Sequence, residues 1–332
     1  MRAMQFVKQK PTVENSLLLT ELPVPEPGAA QVRLRVQVCG VCHTDLHIVE
    51  GEIFPTKMPI IPGHQVVGVV DALGEGVTGL KKGQRVGVPW FYDACGSCNF
   101  CRTGNENLCS KARFTGFNVD GGFAEYMLAE SRYVLLIPDE LSDEQAAPLL
   151  CAGIIGYRSL RKADVLPGER IGLFGFGASA HLAIQVARYW DCEVYTFTRS
   201  QKHRDHAFEL GSAWVGGASD QPPKLLDRAI IFAPVGKIVH DALGKLRPGG
   251  TLAINAIHMS PIPEMPYELI YGERTMRSVA NATYEDGVAF LDLAVKIPIK
   301  ATVEIYGLED ANQALDAVKN SRINGEAVLM VR

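Results

Sequence analysis

The residues of this 332-residue chain best suited to chemistry are its eight cysteines, Cys39, Cys42, Cys95, Cys98, Cys101, Cys109, Cys151 and Cys192. Four fall in one run, Cys95-x2-Cys98-x2-Cys101-x7-Cys109, with the small or turn-forming Gly96, Ser97 and Asn99 between them. Two-residue gaps let successive thiolates fold back onto one ion, which suits a structural zinc held tetrahedrally by four sulfurs. An iron–sulfur run usually closes with a three-residue gap and a proline, whereas here the last gap is seven residues and Ser110 follows. Ordinary reduced cysteines are the remaining reading. Disulfides are disfavoured, because the opening residues MRAMQFVKQK lack the apolar core of a secretion signal. Cys42 in CGVCHTDLH, His64 in IPGHQVVG and Cys151 in LLCAGIIGY are suggestive too, although a lone Cys or His is more often structural than a ligand.

A second motif points to a cofactor. Ile171-Gly-Leu-Phe-Gly175-Phe-Gly177-Ala-Ser-Ala180 reads as a strand, a turn and the opening of a helix. Gly175, Gly177 and Ala180 fit G-x-G-x-x-A, in which the helix N-terminus offers free N–H groups to a pyrophosphate. An acidic residue about 20 positions on would bind the ribose 2′-hydroxyl of NAD. The next strand instead ends in Thr198-Arg199-Ser200, followed by Lys202, His203 and Arg204. Arg199 could pair with a 2′-phosphate, or be solvated, or stack on adenine. The sequence leans to NADP and leaves NAD open.

The elements that must position these residues fall into two kinds. Val32, Leu34, Val36 and Val38 alternate with Gln31, Arg33, Arg35 and Gln37, the period of a half-buried strand. Short valine-rich runs broken by glycine from Gly63 to Val88 suit a compact β barrel or sandwich. From Ser142 the chain reads as helical and then alternates strands with helices near 180–190 and 202–210 and after Val235, which predicts a parallel sheet covered on both faces. A further helix is expected over Gly287–Val295. Length suggests about two domains at roughly 150 residues each. With 33 basic and 37 acidic residues the net charge is −4, which argues against a nucleic-acid or anionic-membrane partner. No apolar run approaches the roughly 20 residues of a membrane span. A soluble cytoplasmic protein is expected.

CGVCHTDLH, PGHQVVG, the four-cysteine lobe, the CAG segment and the G-x-G-x-x-A turn occur in the order seen in zinc-dependent medium-chain alcohol dehydrogenases. The chain resembles that family over nearly its whole length. The resemblance implies an α/β fold: a GroES-like β-rich catalytic domain over 1–150 and 282–332, its structural zinc lobe near 93–112, and a doubly wound Rossmann NAD(P)-binding domain over 151–281. It implies two zinc ions per chain, one structural and one catalytic. Cys42, His64 and Cys151 would hold the catalytic ion, leaving a fourth position for water or substrate. Thr44 would hydrogen-bond the reacting alcohol, and His47 would end a proton relay running through the cofactor ribose to solvent. Asp45 would orient His64. His43 would lie near the pyrophosphate, unless it is only an exposed turn residue, and Trp90 would narrow the substrate pocket, unless it is a core tryptophan.

The implied activity is reversible oxidation of primary or secondary alcohols to aldehydes or ketones, in a cleft between the domains of a homodimer or homotetramer. Polyol, threonine and aromatic-alcohol dehydrogenases of the superfamily are rivals, and Phe54, Trp90 and the Ile257-His258 region would decide among them. A zinc-free quinone reductase would lack both metal sites. A non-catalytic zinc-binding interaction protein is the distant alternative. Two departures stand out. Gln65 replaces the glutamate that many relatives carry after the zinc-binding histidine, removing a charge and a potential transient ligand. Glu326 stands where many relatives have an arginine on cofactor phosphate, which weakens that contact.

Overall fold

The computed structural model describes residues 1–8 and 16–332. Its chain divides into two compact units, one of Met1–Cys151, Asn281–Lys296 and Lys300–Arg332, the other of Ala152–Ala280 and Ile297–Ile299. In the first, strand β1 (Gln31–Val41) buries Val32, Leu34, Val36 and Val38 completely, as the alternation requires. Helix α1 (His43–Glu50) follows after a single residue, Cys42. Strand β2 (Val66–Leu73) runs antiparallel to β1 with Val66 opposite Cys39, so the residues just after β1 and just before β2 meet at one end of the sheet. Strand β3 (Arg85–Val88) pairs with β2, β4 (Tyr126–Glu130) with β1, and β5 (Leu135–Leu136) with β3.

The second unit alternates strands and helices: β6 (Arg170–Phe174), α2 (Ala178–Tyr189), β7 (Glu193–Phe197), α3 (Gln201–Glu209), β8 (Trp214–Gly216), β9 (Leu226–Ile231), α4 (Ile238–Gly244), β10 (Leu246–Ile254) and β11 (Thr275–Ser278). All six strands are parallel, in the order β8-β7-β6-β9-β10-β11. The chain steps outward to β8 and then crosses to the far side of β6, so the order reverses between β6 and β9. Such a reversal opens a ligand crevice at the carboxyl ends of the two strands. Buried Phe174 and Phe197 stack at 4.1 Å beneath that end.

The chain then returns to the first unit with α5 (Tyr284–Lys296), β12 (Val303–Gly307), α6 (Ala311–Lys319) and β13 (Glu326–Met330). Its main sheet reads β12-β13-β1-β2-β3-β5, with β4 also on β1. Helix α5 begins a turn before the expected Gly287, because Thr283 and Asp286 cap it reciprocally: the Asp286 N–H donates to Thr283 Oγ1 and the Thr283 N–H to Asp286 Oδ2. The helical stretch expected from Ser142 is broken into Asp143–Pro148, a π turn over Leu149–Gly153, and Ile154–Lys162. Among the described residues no helix is long and apolar enough to cross a membrane.

One pH effect follows from the second unit. His181 of α2 is buried, with its ring 5.9 Å from that of His206. Burial first, and His206 second, push it down to about 4 from the ordinary 6.5. Between those values the unfolded chain holds a proton that the folded chain lacks, so stability falls as pH drops from about 6.5 to 4, by up to about 3 kcal/mol. The expected outcome is a steeper acid loss of urea midpoint between pH 7 and pH 5 in the native protein than in His181→Gln.

Candidate active site

Asp45 organises the end of the sheet where β1, α1 and β2 converge. Its carboxylate is fully buried. Oδ2 accepts the Cys42 N–H at 2.9 Å, and Oδ1 accepts the Gly63 N–H at 2.9 Å while lying 3.3 Å from His64 Nδ1. That last approach has the distance of an ion pair without hydrogen-bond alignment. One side chain in the first turn of α1, where a negative charge favours the helix dipole, thereby fixes the residue that ends β1 and the residue that leads into β2. Gly63 must be glycine: its φ is +94°, and a Cβ there would meet the Phe123 ring at 2.4 Å.

Cys42, His64 and Cys151 come together, with their donor atoms within 4.8 Å of one another. Cys151 arrives from the π turn, an irregularity frequent at functional sites. Buried His64 Nε2 has no hydrogen-bond partner among the described residues. Cys42 is held well below the ordinary thiol range, chiefly by a hydrogen bond from Cys151, and Cys151 is raised by the same bond. Burial opposes protonation of His64, yet the Asp45 carboxylate and Cys42 thiolate lift it to about 10. Protons are crowded where two thiolates and an imidazole could instead share a cation, and metal binding would displace them. Two sulfurs and one nitrogen, with no fourth donor among the described residues, are the set of an open zinc site.

The second cluster is Cys95, Cys98, Cys101 and Cys109. Its sulfurs lie 3.5 Å (Cys98–Cys101), 3.6 Å (Cys95–Cys109) and 3.8 Å (Cys95–Cys101) apart. These separations match the edges of a tetrahedron with zinc–sulfur bonds of about 2.3 Å, and exceed a disulfide's roughly 2.05 Å. Backbone N–H groups of Ser97 and Cys98 pull Cys95 down to about 5, whereas desolvation and neighbouring thiols push Cys101 up to about 12.

Other expected residues take distinct places. Thr44 is buried with Oγ1 3.8 Å from Cys42 Sγ. His47, on the same helix, bonds through Nδ1 to Glu52. His43 is exposed at the start of α1. Trp90 meets His64 edge-on at 4.8 Å and stacks on Phe114 at 5.2 Å, and its indole N–H donates to Asn281 at 3.0 Å; it is half-buried. Phe54 and Ile257 are exposed. In the other unit, Gly175 has φ +94° and a Cβ there would approach the Ala233 nitrogen to 2.9 Å. Gly177 caps α2 with open space where its Cβ would be, and Ala180 is buried. Buried Thr198 and exposed Arg199 follow β7. Glu326 is 3% exposed and accepts a hydrogen bond from Gln65 Nε2, a contact that sequence reading did not foresee. Sequence reading also missed Glu52, Asn281 and the need for glycine at 63; of these, only the P-G dipeptide signalled a turn.

The comparisons agree with this architecture. Residues 28–139 match the model of the alcohol dehydrogenase GroES-like domain. A probable alcohol dehydrogenase, AdhA, of Mycobacterium tuberculosis is 42% identical over all of this chain and 97% of its own length. A cinnamyl alcohol dehydrogenase of Sorghum bicolor superposes with a TM-score of 0.90 at 29% identity, covering 99% of this chain and 97% of that one. A cobalt- and zinc-bound thermostable alcohol dehydrogenase of Pyrobaculum aerophilum does so with a TM-score of 0.90 at 26% identity, covering 100% and 99%. The fold is that of a GroES-like unit joined to a Rossmann-type parallel sheet, and the chain belongs to the medium-chain alcohol dehydrogenase family. It is an oxidoreductase acting on alcohols.

Gly63→Ala adds both positive-φ strain and a clash with Phe123. It is expected to destabilise by about 3 kcal/mol, measured as a lowered urea midpoint, with the His64 imidazole resonances displaced in NMR spectra.

Proposed function

We propose that this enzyme is a zinc-dependent alcohol dehydrogenase that interconverts primary or secondary alcohols with aldehydes or ketones, using NADP in preference to NAD. The observation that carries the reading is the convergence of Cys42, His64 and Cys151 within 4.8 Å, with His64 Nε2 buried and unpartnered. Zinc bound there would supply the Lewis acidity that lets an alcohol ionise near neutral pH. Asp45 holds His64 in position by its carboxylate at Nδ1, leaving Nε2 as the donor. Thr44 Oγ1, 3.8 Å from the Cys42 sulfur, would accept the alcohol proton. His47, partly solvent-accessible and bonded at Nδ1 to Glu52, suits exchange of that proton with water. Trp90 screens the His64 side of the centre with an aromatic face.

Gly175, Gly177 and the N-terminus of α2 have the backbone for a dinucleotide pyrophosphate. Exposed Arg199 at the end of β7, with no carboxylate beside it in Thr198-Arg199-Ser200, favours a 2′-phosphate. The four-cysteine lobe would carry a second, structural zinc. A second reading, an aromatic alcohol as substrate, is favoured by the Trp90–Phe114–Phe117 cluster, whose rings lie 5.2 and 5.8 Å from Trp90. A homo-oligomeric cytoplasmic enzyme completes the proposal.

The test is reduction of NAD⁺ and NADP⁺, separately, by a panel of aliphatic and aromatic alcohols. Metal analysis is expected to give two zinc ions per chain, falling to one in Cys42→Ser. Turnover is expected to vanish on chelation and return with zinc, and Arg199→Ala is expected to raise the KM for NADP⁺ about tenfold with that for NAD⁺ little changed. Chelator-insensitive turnover, or equal response of the two cofactors to Arg199→Ala, would reject the corresponding assignment.

A further inference from the structure

Gln65 and Glu326, which lie 261 positions apart, meet inside the first unit. Gln65 is fully buried and Glu326 is 3% exposed, and Gln65 Nε2 donates to Glu326 Oε1. Gln65 follows His64 directly, and its carbonyl accepts the Gly40 N–H at 2.9 Å. Gly40 sits two residues before Cys42, and a Cβ on it would lie 3.0 Å from Gln65 Cβ, Cδ and Nε2. The end of β1 is thus bare where the Gln65 side chain crosses it. On the far side, β13 pairs with β1 so that Val328 faces Gly40, which brings Glu326, the first residue of β13, to the amide. One hydrogen bond therefore links the residue beside His64 to β13 across the strand end that leads to Cys42.

Packing alone does not explain this pair. Gln65 Oε1 and Glu326 Oε2 are buried with no hydrogen-bond partner among the described residues, and an apolar pair of the same shape would avoid that desolvation. We propose that Gln65 and Glu326 act as one positioning unit for the Cys42–His64–Cys151 centre, a buried amide–carboxylate link that holds the ligand-bearing ends of β1 and β2 in register for the metal. This rests on metal binding at that centre, as proposed above. Neither residue need touch substrate; both act through His64 and Cys42.

The experiment uses the full-length protein loaded with cobalt, whose absorption bands report ligand geometry at each centre, and follows metal release to a chelator. Gln65→Ala and Glu326→Ala are each expected to shift the bands of the Cys42 centre and speed its metal release about tenfold. Release from the four-cysteine lobe is expected to stay unchanged. The double variant is expected to be no worse than either single, because both remove the same link. Glu326→Gln keeps side-chain volume and an amide oxygen that can accept from Gln65 Nε2, so its bands and release are expected to stay near the native ones. Unchanged bands and release in the alanine variants, alanine-like effects in Glu326→Gln, additive effects in the double, or equal acceleration at both centres would overturn the positioning role. A native protein that takes up no cobalt at Cys42, His64 and Cys151 would overturn the zinc reading itself, and the positioning role with it.

Discussion

The buried Asp45 carboxylate is the constraint on which the rest of the first unit's chemistry depends. A carboxylate removed from water is expensive unless its oxygens are met by donors, and the structure meets them with the backbone N–H groups of Cys42 and Gly63, the His64 ring lying 3.3 Å from Oδ1. Charge-assisted bonds of this kind contribute about 1.5–3 kcal/mol each. The same bonds that make the charge tolerable also fix the two peptide segments carrying the candidate ligands. Gly63 shows how little slack remains, since nothing larger fits between Phe123 and the Cys39 sulfur.

The two sulfur centres differ in the way their chemistry requires. The four-cysteine lobe is a local device, closed within fifteen residues, and backbone N–H groups of Cys98 and Lys111 already point at its sulfurs. Its four sulfurs would complete a tetrahedral donor set. The Cys42 centre is assembled from three separate segments and stops at three donors. An incomplete set leaves a position for substrate, and long-range assembly ties that position to the integrity of the sheet. Gln65 and Glu326 belong to this second kind of order, since their contact has no local counterpart in the sequence.

The second unit places its glycine turn by topology. Gly175 ends β6, the strand from which the sheet grows in both directions, and its positive φ lets the chain pass the Ala233 backbone closely before α2 begins. Gly177 leaves the N-terminus of α2 without a side-chain cap, so its first N–H groups remain available for a phosphate.

Much of this was legible in one dimension wherever the physics is local. Spacing of Cys95, Cys98, Cys101 and Cys109 encodes a cluster of four thiols, alternation along Gln31–Val41 encodes a strand with one buried face, and Gly175 to Ala180 encodes a turn from strand into helix. Resemblance of motif order supplied the rest of the candidate ligand set. Helix boundaries were less legible: the Thr283–Asp286 cap extends α5, and the π turn at Cys151 interrupts what reads as continuous helix. The contact of Glu326 with Gln65 was not legible, because its partner lies 261 residues away and is reached only when β13 pairs with β1. Residue types and short spacings thus determined which chemistry this chain can support. Strand register and burial decided which residues stand together, because a contact between distant segments exists only after the sheet has closed.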